Sequence, residues 1–169
     1  MRCFIGIPVP ADPGQALRDR PWAEGARAVP AADLHLTLAF LGERSYGWAR
    51  SLWPALAAIA AATPAFDLPL PTVDVFPRAG GRILAAWAER APRLLALHGS
   101  IWRVLQDAGV EAETRRLLPH VTLARLLAPA ESCPVPGPWT LPVRELMFYQ
   151  SPPEQDGYRA LARWPIGKN

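Results

Sequence analysis

HLTLA at residues 35–39 returns as HVTLA at residues 120–124, 85 positions further along a chain of 169 residues that holds only three histidines. Both strings alternate polar and apolar residues, which is the signature of a strand with one solvated and one buried face. In an extended chain, side chains at i and i+2 share a face, with Cα atoms about 6.5–7 Å apart. His35 and Thr37 therefore point one way, and His120 and Thr122 repeat the arrangement. Strict alternation sends Leu36, Leu38 and Phe40 to the opposite, core-facing side, together with Val121 and Leu123. A repeat of about half the chain suggests two similar lobes rather than a solenoid, whose units would be shorter and more numerous.

Working outward from the motifs, strands and helices alternate without a linker. Strands are expected at 2–8, 34–41, 66–76, 82–89, 119–126, 139–149 and 158–164, and helices at 14–28, 46–62 and 92–108. Pro54 should kink the second helix or mark a new start. Gly109 should end the third, whose proline near the first turn suits a helix start. PRAGG (77–81) reads as a turn, and APAESCPVPGP (128–138) as a surface loop. Several strands are joined by connections too short for crossovers, so antiparallel pairing is expected. The reading is an α+β fold in one domain spanning 1–169. It has two pseudo-two-fold related lobes, antiparallel sheets lining a central cleft, and helices packed outside.

Composition narrows the function classes. Half of the residues are apolar, yet Pro, Arg or Asp interrupts every apolar run well before it could span a bilayer. The start, MRCFIGIPVPADPG, is too short in apolar residues and too rich in proline for a secretory signal. Cys3 and Cys133 lack a CxxC spacing and are expected to be free thiols in a reducing, cytoplasmic compartment. The net charge is only +3, and Lys168 is the one lysine among 18 basic residues. A surface this weakly basic permits an RNA or nucleotide ligand without arguing for one. A monomer is expected.

Two facing His-x-Thr strands would gather two imidazoles and two hydroxyls around one small anion. A phosphodiester suits that set. One imidazole takes a proton from the attacking oxygen and the other gives one to the leaving oxygen, each worth about 10²- to 10⁴-fold in rate. Histidine fits because its unperturbed pKa of about 6.5 lies near working pH. Threonine donates to a non-bridging oxygen while its β-branch favours the strand. No Asp or Glu lies inside either motif to complete a metal ligand set, so neither metal nor cofactor is expected. Motif chemistry alone does not say which histidine is the acid.

The paired H-x-T-x strings resemble the 2H phosphoesterase superfamily. DLHLTLAFLGE (33–43) and LPHVTLAR (118–125) resemble its RNA 2′,3′-cyclic phosphodiesterase branch, formerly called bacterial 2′-5′ RNA ligases. RCFIGIPVP (2–10), VFPRAGGRILAAW (75–87) and YRALARWP (158–165) fit the same branch, so the resemblance covers nearly the whole chain. It implies a bilobal fold and metal-independent opening of a 2′,3′-cyclic phosphate to a 2′-phosphate, on RNA ends or nucleotides. It further implies His35 as the general acid for the 3′-oxygen and His120 as the base for water. Thr37, Thr122 and Arg125 would bind the phosphate.

Arg125 poses a difficulty, because its odd offset from His120 places it on the opposite face unless the strand ends or twists there. A solvated strand-end arginine is the alternative. Arg78 and Arg82 flank a Gly-Gly turn and could guide an RNA backbone, or simply be solvated. Phe40 could pack under a base, although its parity suggests core. His98 shares the apolar stripe of its helix with Leu94, Ile101 and Leu105, which reads as structural. Two further readings of function stand beside the hydrolase. One is a same-fold enzyme for another cyclic phosphodiester or for 2′-5′ ligation, and the other an RNA-binding module without turnover.

Overall fold

The structure, a computed structural model, describes residues 1–18, 25–153 and 157–167. In chain order the elements begin β1 (Arg2–Pro8), α1 (Ala11–Arg18), β2 (Arg27–Ala28), a 3-10 turn (Ala31–Asp33), β3 (His35–Glu43), α2 (Tyr46–Ser51) and α3 (Trp53–Ala62). They continue with β4 (Phe66–Phe76), β5 (Ile83–Trp87), α4 (Pro92–Asp107), β6 (His120–Arg125), β7 (Val135–Val143), β8 (Glu145–Gln150) and β9 (Arg159–Pro165). All these strands join one sheet of order β7-β4-β5-β6-β3-β1-β8-β9, with β2 added beside β6. Every pairing among them is antiparallel.

The two motif strands lie at the centre of this sheet. β3 meets β6 at Leu36 opposite Val121, and, β2 aside, four strands stand on each side of that junction. These halves are not successive halves of the chain, as a period of 85 suggests. The half that carries His35 is built from β1 and β3 and completed by β8 and β9, which return from the C-terminal end. The helices pack on the core side. α3 rests against α4 and β9, and α4 reaches β3. Leu94, Leu97, Ile101 and Leu105 form the buried stripe of α4 at helical spacing. Gly109, at φ 82°, ends that helix in the left-handed conformation, and the Val110 N–H returns to the Leu105 carbonyl at 2.9 Å.

Pro54 starts α3 rather than interrupting one long helix, and Leu52 forms the joint between α2 and α3. Two expectations are corrected. The helix expected over 14–28 runs from Ala11 to Arg18, residues 19–24 lie outside the described ones, and Arg27–Ala28 is a strand. The edge of β6 draws those residues into the ladder, and the Val29 N–H donates to the Leu123 carbonyl at 2.8 Å. Likewise β7 begins at Val135, inside the expected loop, and a break at Arg144 separates it from β8. Pro134, Pro136 and Pro138 disguise it, but β7 is an edge strand, where a missing N–H facing solvent costs no ladder bond. Among the described residues, no helix is long and apolar enough to cross a membrane.

Candidate active site

Each motif histidine is held by the carbonyl two residues before it. Nδ1 of His35 lies 2.6 Å from the Asp33 carbonyl, and Nδ1 of His120 lies 2.8 Å from that of Leu118. A carbonyl only accepts, so each Nδ1 carries its proton and donates it. That fixes the tautomer and leaves Nε2 of both rings to accept a proton or, once charged, to give one. The 3-10 turn sets the Asp33 carbonyl, and the segment entering β6 sets that of Leu118. The repeat seen in the sequence is thus a repeat of hydrogen-bond geometry as well.

Aromatic rings pack against both imidazoles. His35 lies 4.7 Å from Phe4, 5.5 Å from Tyr149 and 4.9 Å edge-on from Tyr158, measured between ring centroids. His120 stacks on Phe76 at 3.7 Å with the rings 21° apart. Burial therefore pushes the pKa of each histidine below its ordinary value. For His35 the Asp33 carbonyl and carboxylate oppose this, while the charge of His120 adds to it. For His120 only the Leu118 hydrogen bond opposes it. The Tyr149 hydroxyl is pushed well above its ordinary value by burial and hydrogen-bonds Met147 Sδ at 3.2 Å. It stays protonated as part of the wall around His35.

Strict alternation fails at the same place in both motifs. Opposite β1, Ile5 pairs with Ala39 and Gly6 with Thr37, so Leu38 is an extra residue. Opposite β5, Leu84 pairs with Ala124 and Ala85 with Thr122, so Leu123 is extra. Each is a β-bulge, which reverses the facing of everything after it. Leu38 and Ala39 are both buried, as are Leu123 and Ala124. The next residue then turns toward the motif histidine's face. Arg125 lines the cleft with His120 and Thr122, which removes the parity difficulty. Phe40 is its counterpart, 70% exposed and lining the same cleft, so its expected core position is corrected. Gly6 belongs to this construction, since a Cβ there would sit 2.8 Å from the Leu36 carbonyl.

His35, Thr37, His120 and Thr122 all line one cleft of about 800 Å³. Arg2, Arg27, Asp33, Phe4, Phe76 and Tyr158 also contribute to it, and sequence reasoning missed all six. Asp33 Oδ1 accepts the Tyr158 N–H at 3.1 Å, tying the C-terminal segment to the motif. Arg78 and Arg82 are exposed on the β4–β5 turn and are not among the cleft-lining residues; Arg82 Nη1 donates to the Leu127 carbonyl at 3.2 Å. His98 sits on α4 away from the cleft, half-buried beside Trp102, with its pKa lowered by burial. A second cavity of about 490 Å³ between α3 and α4 is mostly apolar, with Arg93 its one charged lining residue. Among the described residues, no three His, Cys, Asp or Glu side chains group as a metal ligand set would. Cys3 is buried, Cys133 is exposed, and both are free thiols.

Fold and cleft together define an α+β protein with a duplicated histidine–threonine site. The chain belongs to the 2'-5' RNA ligase superfamily, whose family model matches residues 8–149. It is 31% identical to the RNA 2',3'-cyclic phosphodiesterase of Escherichia coli, over 98% of this chain and 96% of that protein. The crystal structure of TT0787 of Thermus thermophilus superposes with a TM-score of 0.84 at 29% identity, covering 98% of each chain. That of E. coli LigT complexed with 3'-AMP superposes with a TM-score of 0.77 at 30% identity, covering 99% of this chain and 98% of that one.

Proposed function

We propose that this protein is a hydrolase that opens 2′,3′-cyclic phosphates on RNA ends or nucleotides, leaving a 2′-phosphate. The observation that carries the reading is the matched pair of imidazoles, each pinned through Nδ1 to a carbonyl with Nε2 left for the cleft. The name of the E. coli relative and the 3'-AMP bound in LigT support the substrate class.

In this scheme Nε2 of His120 takes a proton from water as its oxygen forms the new bond to phosphorus. The bond from phosphorus to the 3′-oxygen breaks, and Nε2 of His35 delivers the proton that this oxygen needs. The products are a 2′-phosphate and a 3′-hydroxyl, with both histidines exchanged in protonation state and reset by solvent. Hydroxyls of Thr37 and Thr122 donate to the non-bridging oxygens, and Arg125 balances their charge. Phe40 offers an exposed ring for a base to stack on. Protein side chains and water are sufficient for these steps. Burial favours the neutral form of His35, and the negative charge of a bound phosphate offsets that, keeping the acid charged when substrate is present.

The test is an RNA oligonucleotide ending in a 2′,3′-cyclic phosphate, incubated in EDTA with the wild-type protein and with His35→Ala and His120→Ala. Turnover by the wild type and a loss of about 10²- to 10⁴-fold in each variant is expected, with product binding retained. Turnover that survives either substitution would overturn the mechanism. RNA binding without any turnover by the wild type would make the chain a binding module instead.

A further inference from the structure

We infer that the Asp33 carboxylate is a positioning group for the reaction. It holds Tyr158 against His35 and makes that ring, rather than His120, the one that delivers the proton. The inference rests on the cyclic phosphodiesterase reading and adds a residue to its machinery. Each motif histidine is pinned by the carbonyl two residues before it, but the two anchoring residues differ. Leu118 brings His120 a carbonyl and no charge. Asp33 brings His35 a carbonyl and a carboxylate, the one acidic side chain among the described residues lining the cleft. In a cleft for phosphate that charge opposes the ligand, so binding does not account for it.

The carboxylate is aimed by a partner far along the chain. Oδ1 accepts the Tyr158 N–H at 3.1 Å, across 125 positions of sequence. Tyr158 stands directly before β9, and this bond sets its ring edge-on to His35, 4.9 Å away at 89°. Gly157 permits the approach. Its φ of 104° favours glycine, and a Cβ there would sit 3.1 and 3.2 Å from the two carboxylate oxygens. Asp33 thus grips His35 twice, through its carbonyl at Nδ1 and through Tyr158 at the ring. Among the described residues, the titratable groups around His35 are Asp33 itself, His120 on β6, Tyr149 on β8 and Tyr158. Asp33 is the one carboxylate of this set. It favours imidazolium at His35, while the charge of His120 disfavours it. At His120 only the Leu118 hydrogen bond opposes burial. When the two rings share one proton, Asp33 therefore biases it toward His35. From there Nε2 gives it to the departing 3′-oxygen.

The experiment compares Asp33→Asn and Asp33→Ala, each with and without Tyr158→Leu, on a short RNA ending in a 2′,3′-cyclic phosphate across a pH series. Asn keeps an acceptor for the Tyr158 N–H and removes the charge, whereas Ala removes both. Asp33→Asn should move the alkaline limb of kcat to lower pH without raising KM, because the acid loses the charge that favours its protonated form. Asp33→Ala should have a kcat about tenfold or more below that of Asp33→Asn, as a misplaced acid does. In the Tyr158→Leu background the two should be alike, because the acceptor then has no ring to place. An unmoved alkaline limb in Asp33→Asn, or the same Asn-to-Ala difference in both backgrounds, would overturn the inference. If the wild type does not turn the RNA over, the phosphodiesterase reading fails on its own. Ring ¹⁵N NMR of the folded protein then decides Asp33, with the signals assigned through His35→Gln and His120→Gln. Titration of His35 at lower pH in Asp33→Asn, with His120 not following, supports the inference. An unshifted His35, or equal shifts at both rings, overturns it.

Discussion

Leu36 on β3 faces Val121 on β6 across the junction of the two halves of the sheet, and both are fully buried. Antiparallel partners count in opposite directions, so one step outward brings His35 to the side of Thr122 and Thr37 to that of His120. Each motif histidine thus lies beside the threonine of the other motif. Thr37→Val and Thr122→Val keep the shape and remove the donor. Each should lower kcat/KM about 10- to 100-fold, the worth of a hydrogen bond to a charged group. Steady-state kinetics on one substrate checks this, and a thermal melt should show little change for either variant.

If His35 and His120 act as the proposed acid and base, they set the pH dependence. Burial holds both imidazoles below their ordinary pKa, and the proposed scheme needs one charged while the other is neutral. In the free enzyme that singly protonated state is most populated on the acid side of about pH 6.5. The kcat/KM profile should therefore be bell-shaped, with its maximum there. A bound phosphate favours imidazolium, so the alkaline limb of kcat should lie at higher pH than that of kcat/KM. A maximum of kcat/KM above about pH 8 would contradict this.

The same shifts predict a stability trend. The pKa values of His35, His98 and His120 are all depressed in the folded protein by burial. As pH falls through about 6.5 the unfolded chain takes up these protons first, so stability present above that pH is lost toward the lower, folded-state values. Tm should fall between about pH 7 and pH 5, and less steeply in a His35→Gln, His120→Gln double variant.

Phe40 is exposed enough that truncating it should not unfold anything. If a base stacks on it, Phe40→Ala should weaken RNA binding by about 1–3 kcal/mol while stability stays within about 0.5 kcal/mol of the wild type. Fluorescence titration with RNA and a denaturant melt separate the two effects.

Trp102 supports the bulge that turns Phe40 outward. Its indole Nε1 donates to the Leu38 carbonyl at 3.3 Å, and Leu38 is the extra residue of that bulge. Trp102→Phe keeps most of the packing and removes the donor. A stability loss of about 1 kcal/mol is expected, with KM for RNA raised and kcat nearly unchanged. A stability loss with no change in KM would reduce Trp102 to a packing residue.

The grouping at the centre of the candidate site was legible because it depends on local spacing. His35 and Thr37, like His120 and Thr122, share a face by the period of a strand, whatever lies beside them. Arg125 and Phe40 were not legible from their own strings, because a bulge is a relation between two strands. Leu38 is extra only against β1, and Leu123 only against β5. Arg27 was hidden for a similar reason, since its stretch has helical composition and the free edge of β6 recruits it. β7 was disguised by prolines that an interior strand would reject and an edge strand accepts. The C-terminal strands could not be assigned to a half of the sheet from a repeat, because their place is set by pairing with β1.

The central claim is that two Nε2 atoms perform the chemistry and that the leaving atom is the 3′-oxygen. Phosphorus NMR of the product formed in EDTA from an RNA 2′,3′-cyclic phosphate tests both at once. The account predicts a 2′-phosphate as sole product, lost in His35→Ala and in His120→Ala alike. A 3′-phosphate, or turnover that either variant retains, would contradict it.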